Sequence, residues 1–212
     1  MKEYPKINTM YKRNMDGDKK IIVGDFCDPE VEYLKDLKWE CTEKIDGTNI
    51  SVVWNGEVSF HGRTEKAVIP EHLLRKLEQV FTKQKMSEFF PIKEDGDEII
   101  LYGEGYGVKI QKGGNYIPND VNFILFDVFV NGWWLNRQSC EEIAKELEID
   151  IVPLIGYMSI PEAEEMVSNG FKSTIAENKN YNAEGLVLKT LHGLKNRSGK
   201  RIIVKIKTVD YR

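Results

Sequence analysis

The sequence predicts an α+β fold with antiparallel sheets. Apolar, strand-like segments follow one another in hairpins, and helical segments are inserted between them at irregular intervals. A doubly wound fold would instead alternate strands and helices in regular βαβ units. The chain has 212 residues, which is enough for one large domain. We therefore expect residues 1–212 to form a single domain.

The first half of the chain carries four strand-like segments: residues 20–24, 38–43, 48–54 and 57–62. The rest of residues 1–37 looks irregular. The last two strands predict a hairpin, because Asn55-Gly56 between them is a strong type I′ turn signal. Pro70 opens a predicted helix whose apolar residues recur at helical spacing.

The second half mixes strands and helices. Its predicted strands are residues 98–103, 121–130, 133–135, 151–157, 185–189 and 201–207. Glu104 ends the first of these, and a glycine-rich loop is expected after it. Asn131-Gly132 is a turn signal. Ser139 with Glu142 predicts a capping box for one helix, and a second helix is expected between Pro161 and Gly170.

Composition limits the class of protein. An apolar fraction of 41% and a charged fraction of 30% are ordinary for a soluble globular chain. The sequence has no apolar run long enough to span a bilayer and no secretion signal. Its three cysteines show no paired spacing, which argues against disulfides and zinc and fits a reducing compartment. We expect an intracellular, cytoplasmic protein with no membrane partner (in the host cytoplasm if the chain is phage-encoded).

Overall charge does not indicate a nucleic-acid partner. The formal net charge is -4, so such a partner needs a local basic patch. Basic residues cluster near the C-terminus: Lys189, Lys195, Arg197, Lys200, Arg201, Lys205 and Lys207. A run of this kind is more often a solvated face.

The segment Glu43-Lys44-Ile45-Asp46-Gly47-Thr48-Asn49 joins two predicted strands. A lysine at such a junction can act as a covalent nucleophile if its pKa is lowered. A lysine beside carboxylates in a turn is, however, usually a solvated ion pair that contributes little. The segment alone leaves both interpretations open.

Further charged residues end or interrupt apolar strands: Glu104, Asp127, Glu184, Lys205 and Lys207. A charge in a buried strand costs free energy unless it is paired or functional. Lys205 and Lys207 are two residues apart, so they share one face of a strand. Their ammonium groups repel each other unless an anion such as phosphate lies between them, and they would depress the pKa of a neighbouring lysine. For each residue alone, a structural salt bridge is the commoner role.

Competing motifs are weak. Gly103-Glu104-Gly105-Tyr106-Gly107 resembles a dinucleotide-binding loop only superficially, because the third glycine is misplaced. The sequence has neither a phosphate-binding P-loop nor a Gly-x-Ser-x-Gly nucleophile elbow. The three histidines lack the spacing of metal ligands.

Taken together, the ordered residues resemble the covalent nucleotidyltransferases, which comprise ATP-dependent RNA and DNA ligases and mRNA capping enzymes. The set is Lys44-Ile45-Asp46-Gly47, Glu104, Phe126-Asp127, Glu184-Gly185 and Lys205-Ile206-Lys207. It covers residues 43–207, and the five parts together are far more specific than the lysine segment alone. Glu43 to Asn49 most resembles the RNA ligase 2 group, and so does the N-terminal Tyr4-Pro5-Lys6-Ile7 leading to Tyr11-Lys12-Arg13.

The resemblance implies a nucleotidyltransferase domain of two twisted antiparallel sheets flanked by helices, with a nucleotide pocket between them. It implies an ATP-dependent RNA ligase that joins 3′-hydroxyl and 5′-phosphate ends through lysyl-AMP and adenylated RNA. The cofactors would be ATP, as AMP held covalently by Lys44, and Mg²⁺ or Mn²⁺. The partners would be RNA ends, nicked duplexes included, and the enzyme is expected to be a monomer.

The resemblance also implies a role for each residue. Lys44 would be the nucleophile, with Glu43, Ile45 and Asn49 contacting the nucleotide. Glu104 would hold the ribose, Arg63 the ribose or an RNA phosphate, and Glu184 the metal. Phe126 would stack on adenine, although from periodicity alone a core aromatic is nearly as good an interpretation of its position. Lys205 and Lys207 would bind the α-phosphate and the leaving pyrophosphate, and Asp127 would orient its neighbours.

Two alternatives remain open at this stage. A DNA ligase or a GTP-using capping enzyme would share the chemistry, although Asn49 and the short chain favour RNA. A non-catalytic nucleic-acid-binding module would not need the lysine. The sequence ends five residues after Lys207, so we expect no C-terminal accessory domain, in a minimal enzyme or a trimmed catalytic domain that keeps self-adenylylation.

Overall fold

The computed structural model describes residues 2–64, 66–94 and 96–212. The strands are β1 (Asn8–Thr9), β2 (Tyr11–Arg13), β3 (Ile21–Phe26), β4 (Trp39–Glu43), β5 (Thr48–Trp54), β6 (Val58–Gly62), β7 (Ile99–Gly107), β8 (Val121–Val130), β9 (Trp133–Trp134), β10 (Asp150–Ile151), β11 (Leu154–Met158), β12 (Gly185–Thr190) and β13 (Ile203–Lys207). The helices are α1 (Pro29–Tyr33), α2 (Glu71–Val80), α3 (Lys83–Phe89), α4 (Arg137–Glu146) and α5 (Ile160–Asn169). The predicted α+β class is confirmed.

The chain divides into two compact units. The central unit contains Asp46–Val152 and the N-terminal segment that ends at Pro5. The terminal unit contains Lys6–Ile45 and Pro153–Arg212. The single domain expected from the sequence stays a prediction.

The central unit is built on a sheet of order β10-β8-β7-β5-β6, to which β9 adds by pairing with β8. All pairs are antiparallel except β10 with β8. Its buried core joins alternate residues of β5, β7 and β8 to the apolar faces of α2 and α4, represented by Leu73, Leu77 and Ile143. Period-2 strands and amphipathic helices thus bury their apolar faces against each other.

The terminal unit is built on a sheet of order β1-β13-β12-β4-β11, and β2 and β3 form a separate hairpin. Its core joins Cys41, Leu186, Leu188 and Ile206 of the sheet to the buried face of α5. Helix α5 has Pro161 in its first turn and Gly170 as its C-cap, as the sequence predicted, and it also has a full capping box between Ser159 and Glu162 that was not anticipated. No helix among the described residues is long and apolar enough to cross a membrane.

The two turn signals gave different outcomes. Asn131 and Gly132 both have positive φ, at 44° and 94°, as a type I′ turn requires, and they join β8 to β9. At the earlier signal only Gly56 has positive φ, and Trp54 pairs with Val58 across a three-residue loop. The hairpin was therefore predicted correctly, but its turn type was wrong.

Several boundaries also differ from the prediction. Strand β7 continues to Gly107, so Gly105 and Gly107 lie within a strand and not in a loop. A Cβ on Gly105 would lie 2.4 Å from the Leu73 side chain, so close packing of α2 explains the glycine. The predicted strand 151–157 is two strands, β10 and β11, in different sheets. Pro153 lies between them and has no amide hydrogen for a ladder.

The helix ends and the N-terminal region were also incompletely predicted. Helix α4 begins three residues earlier than expected, with Asn136 as N-cap accepting a hydrogen bond from the Ser139 amide, so the Ser139 capping box was wrong. Residues 1–37, expected to be largely irregular, contain β1, β2, β3 and α1. Helix α3 was not anticipated.

The N-terminal segment is held to the central unit by a buried hydrogen bond. The Tyr4 hydroxyl donates to Oδ2 of Asp127 at 2.8 Å, and both side chains are buried. Asp127 lies in β8, where a carboxylate without a donor would be costly. Tyr4 also contacts the rings of Tyr102, Phe126 and Trp134.

Tyr4→Phe should lower the free energy of unfolding by about 1–3 kcal/mol, because it removes a donor from a buried carboxylate and leaves the ring in place. Tyr33→Phe is the matched control, since Tyr33 is 87% exposed. Urea unfolding of the three proteins measures the difference. Equal loss in both variants, or no loss at Tyr4, would contradict the role assigned to this hydrogen bond.

Candidate active site

Lys44 follows β4 directly and is attached to β12 by its backbone. Its amide donates to the Gly185 carbonyl at 2.9 Å. Its ammonium group donates to Oε2 of Glu184 at 2.5 Å, with 21% of the Lys44 side chain exposed. Lys44, which the sequence analysis identified as a possible nucleophile, therefore forms an ion pair. Its partner, Glu184, is 140 residues away along the chain.

The same carboxylate contacts a second lysine. The ammonium group of Lys207 lies 3.0 Å from Oε1 of Glu184. Two ammonium groups thus share one carboxylate, which leaves an excess of positive charge at a half-buried position. Such a cluster attracts a further anion.

Lys205 and Lys207 share one face of β13, as predicted. They alternate with the buried Val204 and Ile206, which enter the core of the terminal unit. The sequence suggested a phosphate as the anion beside these lysines. The structure shows that Glu184 supplies an anion to Lys207.

Gly185 makes this arrangement sterically possible. Its φ is 150°, and a Cβ at this position would lie 1.9 Å from the Ile206 carbonyl oxygen. Gly185 pairs with Lys207 across β12 and β13. Next to it, the Thr208 amide donates to the Glu184 carbonyl at 2.9 Å. A residue without a side chain therefore lets the backbone bring Glu184 beside Lys207.

Glu43 has a structural role that the sequence did not reveal. Its carboxylate is buried and accepts hydrogen bonds from the Ser173 hydroxyl at 2.5 Å and from the Thr174 amide and hydroxyl at 2.9 and 2.6 Å. These bonds fix the loop at Ser173 and Thr174 against the residue that precedes Lys44. The sequence carried no signal for this pairing, because the loop has no periodic pattern. The predicted nucleotide contact of Glu43 stays a prediction.

Two neighbours of Lys44 in the terminal unit are apolar. Ile45 is 4% exposed, and Cys41 of β4 is fully buried. Burial raises the pKa of the Cys41 thiol to about 12, so this cysteine is a packing residue and not a second nucleophile. The nucleotide contact expected of Ile45 stays a prediction.

The central unit holds the other predicted residues. Asn49 of β5 and Glu104 of β7 are direct cross-strand partners and so lie on the same face of the sheet. Among the described atoms, Oδ1 of Asn49 is a buried acceptor with no hydrogen-bond partner. Leaving such an acceptor unsatisfied costs about 1–3 kcal/mol. A bound ligand that donates a hydrogen bond would remove this cost.

Position 47 of the lysine segment must be a glycine, because the chain packs closely against Glu104 and Gly105 there. A Cβ there would lie 2.4 Å from the Gly105 carbonyl oxygen and 2.8 Å from Cγ of Glu104. The preceding amide, that of Asp46, donates to the Tyr116 hydroxyl at 3.2 Å. Tyr116 was not anticipated from the sequence, because it lies in a loop whose only pattern is its glycines.

Phe126 lies at an irregularity of β8. Tyr102 pairs with Asp127 and Gly103 pairs with Leu125, so Phe126 is the extra residue of a β-bulge. Bulges re-aim side chains and are frequent beside active sites. The Phe126 ring is partly exposed and meets the Tyr4 ring edge-on at 4.9 Å, whereas Phe123 and Phe129 are buried. Its exposure and its place in the bulge thus distinguish Phe126 from Phe123 and Phe129.

Arg63 is exposed just beyond β6. Its expected contact with ribose or RNA phosphate stays a prediction. Residues 2–64, 66–94 and 96–212 contain no group of three or more His, Cys, Asp or Glu side chains placed to hold a metal ion. The metal contact predicted for Glu184 stays a prediction, and the described residues do not surround Glu184 with a group of further metal ligands.

Comparison with known proteins gives the family. A family model described as RNA ligase matches residues 37–207, which include the whole ordered set from Lys44 to Lys207. The chain belongs to the RNA ligase family. No curated protein sequence gives a significant match.

Solved structures support the fold. The chain is similar to a mutant of Naegleria gruberi RNA ligase solved with AMP and Mn, at 19% identity and a TM-score of 0.66, over 99% of this chain and 58% of that one. A mutant of the same ligase with ATP and Mn matches at 19% identity and 0.65, over 100% and 64%. The ligase with pyrophosphate matches at 20% and 0.64, over 100% and 63%. The chain therefore spans about three-fifths of the length of these structures.

Glu43→Gln should loosen the loop at Ser173 and Thr174, because an amide cannot accept on both sides as the carboxylate does. We expect faster hydrogen exchange at the Thr174 amide and a loss of about 1–3 kcal/mol in the free energy of unfolding. Glu40→Gln is the control, since Glu40 lies on the opposite face of β4. Unchanged exchange at Thr174 in Glu43→Gln would show that the carboxylate does not hold the loop.

Proposed function

We propose that this chain is an ATP-dependent RNA ligase that joins 3′-hydroxyl and 5′-phosphate ends through lysyl-AMP and adenylated RNA. The observation that carries the proposal is Lys44 in an ion-paired cluster with Glu184 and Lys207, in a chain of the RNA ligase family. The similar Naegleria ligase has been solved with ATP, AMP, Mn and pyrophosphate, which is consistent with this chemistry.

In the first step, Nζ of Lys44 attacks the α-phosphorus of ATP. An ammonium group in an ion pair has no lone pair, so the contact with Glu184 must open and a proton must leave. The Glu184 carboxylate is positioned to accept that proton, since it already accepts the hydrogen bond at 2.5 Å. Lys207 shares this carboxylate and is positioned to stabilise the negative phosphate oxygens. We propose the same role for Lys205, which lies on the same face of β13.

The remaining nucleotide contacts are proposed residue by residue. In the central unit, Asn49 would accept a hydrogen bond from the nucleotide through its unsatisfied oxygen, and Glu104 would hold the ribose. Phe126, re-aimed by its bulge, would stack on adenine, and Arg63 would contact ribose or an RNA phosphate. In the terminal unit, Glu43 and Ile45 would complete the nucleotide contacts beside Lys44.

A divalent metal fits the residues present. Mg²⁺ and Mn²⁺ are held by oxygen ligands, and Mg²⁺ is usually bound by one or two carboxylates together with substrate phosphates. Glu184 offers such a carboxylate, and the described residues form no larger acidic cage. The metal would neutralise charge on the phosphates. Glu184 would then bind the metal in place of one of its two ammonium partners.

The later steps transfer the nucleotide to RNA. The 5′-phosphate of one RNA end displaces Lys44 from AMP, and a 3′-hydroxyl then attacks the adenylated end and releases AMP. Both are in-line transfers at phosphorus, in which the protein positions groups and neutralises charge. We propose RNA ends, nicked duplexes included, as the substrates of a monomeric, single-domain enzyme. Its three free cysteines support a location in the cytoplasm.

Incubation with labelled ATP and Mg²⁺ or Mn²⁺ should leave acid-stable AMP on the protein. Lys44→Ala should abolish the label completely, because it removes the nucleophile. Lys38→Ala is the control, since Lys38 is an exposed lysine with its own carboxylate partner, Glu162, and it should label normally. Absence of label on the unmodified protein with ATP, GTP or NAD would overturn the proposal.

A second measurement concerns the substrate. We expect the protein to seal a nicked duplex that carries RNA on the 3′-hydroxyl side and to release AMP, and Lys44→Ala should not. Sealing only when that strand is DNA would identify a DNA ligase. Labelling by GTP alone would indicate a capping-type enzyme.

A further inference from the structure

Strands β12 and β13 form a hairpin whose connecting loop lies at the end away from the proposed active site. Gly185 pairs with Lys207 at the active-site end of the ladder. Beyond the other end, Lys195 and Arg201 still pair across an isolated antiparallel bridge. Residues 191–201, which join the two strands, are called the hairpin tip below.

Hydrogen bonds give the hairpin tip a defined backbone. The Asn196 amide donates to the Lys200 carbonyl at 2.8 Å, and the Gly199 amide donates to the Asn196 carbonyl at 2.9 Å. The side-chain oxygen of Asn196 accepts from the Ser198 amide at 3.1 Å, the Lys200 amide at 3.0 Å and the Ser198 hydroxyl at 2.8 Å. Asparagine commonly stabilises turns in this way. The hairpin tip is therefore an ordered turn and not an irregular basic run.

The charge of the hairpin tip is entirely positive. It carries four cationic side chains, Lys195, Arg197, Lys200 and Arg201. No Asp or Glu occurs between Glu184 and Asp210. Its two lysines and Arg197 are exposed, and within residues 2–64, 66–94 and 96–212 none of these three forms an ion pair. Because soluble surfaces usually intersperse both signs of charge, this surface is suited to an anionic partner.

The hairpin tip continues the cationic face of β13. Alternate residues from Ile202 to Ile206 are buried, and the residues between them are half-buried. Arg201 therefore shares a face with Lys205 and Lys207. At a rise of about 3.3 Å per residue, Arg201 lies about 20 Å from Lys207 along the strand. A nucleic-acid strand that follows this face away from the proposed active site thus reaches the hairpin tip.

We propose that the hairpin tip is a second RNA contact, which binds the phosphate backbone at a distance from the ends being joined. Lys195, Arg197 and Lys200 contact phosphates, so this contact holds the duplex in place without selecting a base sequence. The distance of about 20 Å corresponds to about six base pairs, at about 3.4 Å per nucleotide of each strand. The inference rests on the proposed function, because it takes the RNA ends to lie at Lys44.

The composition of the hairpin tip favours a nucleic acid over an acidic protein. Stable protein interfaces are centred on a buried apolar core that is rich in aromatic residues. The hairpin tip has no aromatic residue, and its exposed apolar side chains are Leu191 at 36% and Leu194 at 45%. Its cations are accompanied by Ser198 and Asn196, whose side-chain types also contact phosphates. RNA backbone is therefore the partner to be tested.

The test compares two variants that lose the same three positive charges. The tip variant is Lys195→Ala/Arg197→Ala/Lys200→Ala. The control variant removes exposed lysines elsewhere and is Lys20→Ala/Lys93→Ala/Lys145→Ala. Fluorescence anisotropy measures the Kd of a nicked RNA duplex with about twelve base pairs on each side of the nick, twice the estimated distance to the hairpin tip. ATP is left out, so that binding is measured without turnover.

The tip variant should bind this duplex at least about tenfold more weakly than the control variant at low salt. Its slope of log K against log salt concentration should be smaller by about 2–3, because each lost phosphate contact removes about 0.9 from the slope. Equal Kd and equal slope in the two variants would overturn the proposal and make an acidic protein the better candidate partner.

A modified duplex tests the distance. Uncharged methylphosphonate linkages replace every phosphate more than about four base pairs from the nick, which keeps the length and pairing of the RNA but removes the charges that the hairpin tip would bind. On this duplex the tip variant and the control variant should have the same Kd. A tenfold difference that persists would place the contact at the reactive ends and overturn the assigned distance.

Two controls separate this inference from folding and from the proposed function. If circular dichroism shows that the tip variant is unfolded, Lys195→Gln/Arg197→Gln/Lys200→Gln replaces it, with the same expected and overturning results. The tip variant should keep the AMP label on Lys44, and its loss in that variant alone would overturn the restriction of the hairpin tip to RNA. Binding that depends on the hairpin tip, in a protein that never becomes labelled, would support the RNA contact and overturn the ligase function.

Discussion

The Glu184 carboxylate, shared by the ammonium groups of Lys44 and Lys207, is the interaction on which the rest of the site depends. It holds the proposed nucleophile in a defined place. Two ammonium groups on one carboxylate also favour a further anion beside them. Partly buried ion pairs of this kind contribute little to stability. The proposed function gives the cluster a role: the two lysines would bind a substrate phosphate in place of the Glu184 carboxylate.

Two buried carboxylates support the site by fixing irregular parts of the chain. Glu43 holds the loop at Ser173 and Thr174, and Asp127 holds Tyr4 of the N-terminal segment. The physical reason is the same in both, since a buried carboxylate must find donors. The segments that supply those donors become ordered as a consequence. Each anchor lies next to a proposed site residue, Lys44 in one unit and Phe126 in the other.

Close backbone approach and one bulge complete the geometry. Gly185 lets Glu184 come beside Lys207, and Gly47 fits against the Gly105 carbonyl, where any side chain would collide. The bulge at Phe126 interrupts the alternation of β8, and the Phe126 ring is partly exposed whereas Phe123 and Phe129 are buried. The bulge interrupts regular strand pairing, and the close contacts place the backbone and side chains in specific positions. Local irregularity of this kind is common at functional sites. In the amino-acid sequence these positions appear only as glycines and as one phenylalanine in an apolar strand, with no sign of these contacts.

The sequence by itself determined the α+β class, most strands, the boundaries of α5, the shared face of Lys205 and Lys207, and the order of the charged residues. These follow from periodicity and local propensity, which act over a few residues. Tertiary structure alone decided which charges meet. Glu184 pairs with a lysine 140 residues away, and Glu43 pairs with a loop about as distant. A charged side chain pairs with whatever partner the fold brings within about 3 Å of it, and no local pattern records that choice.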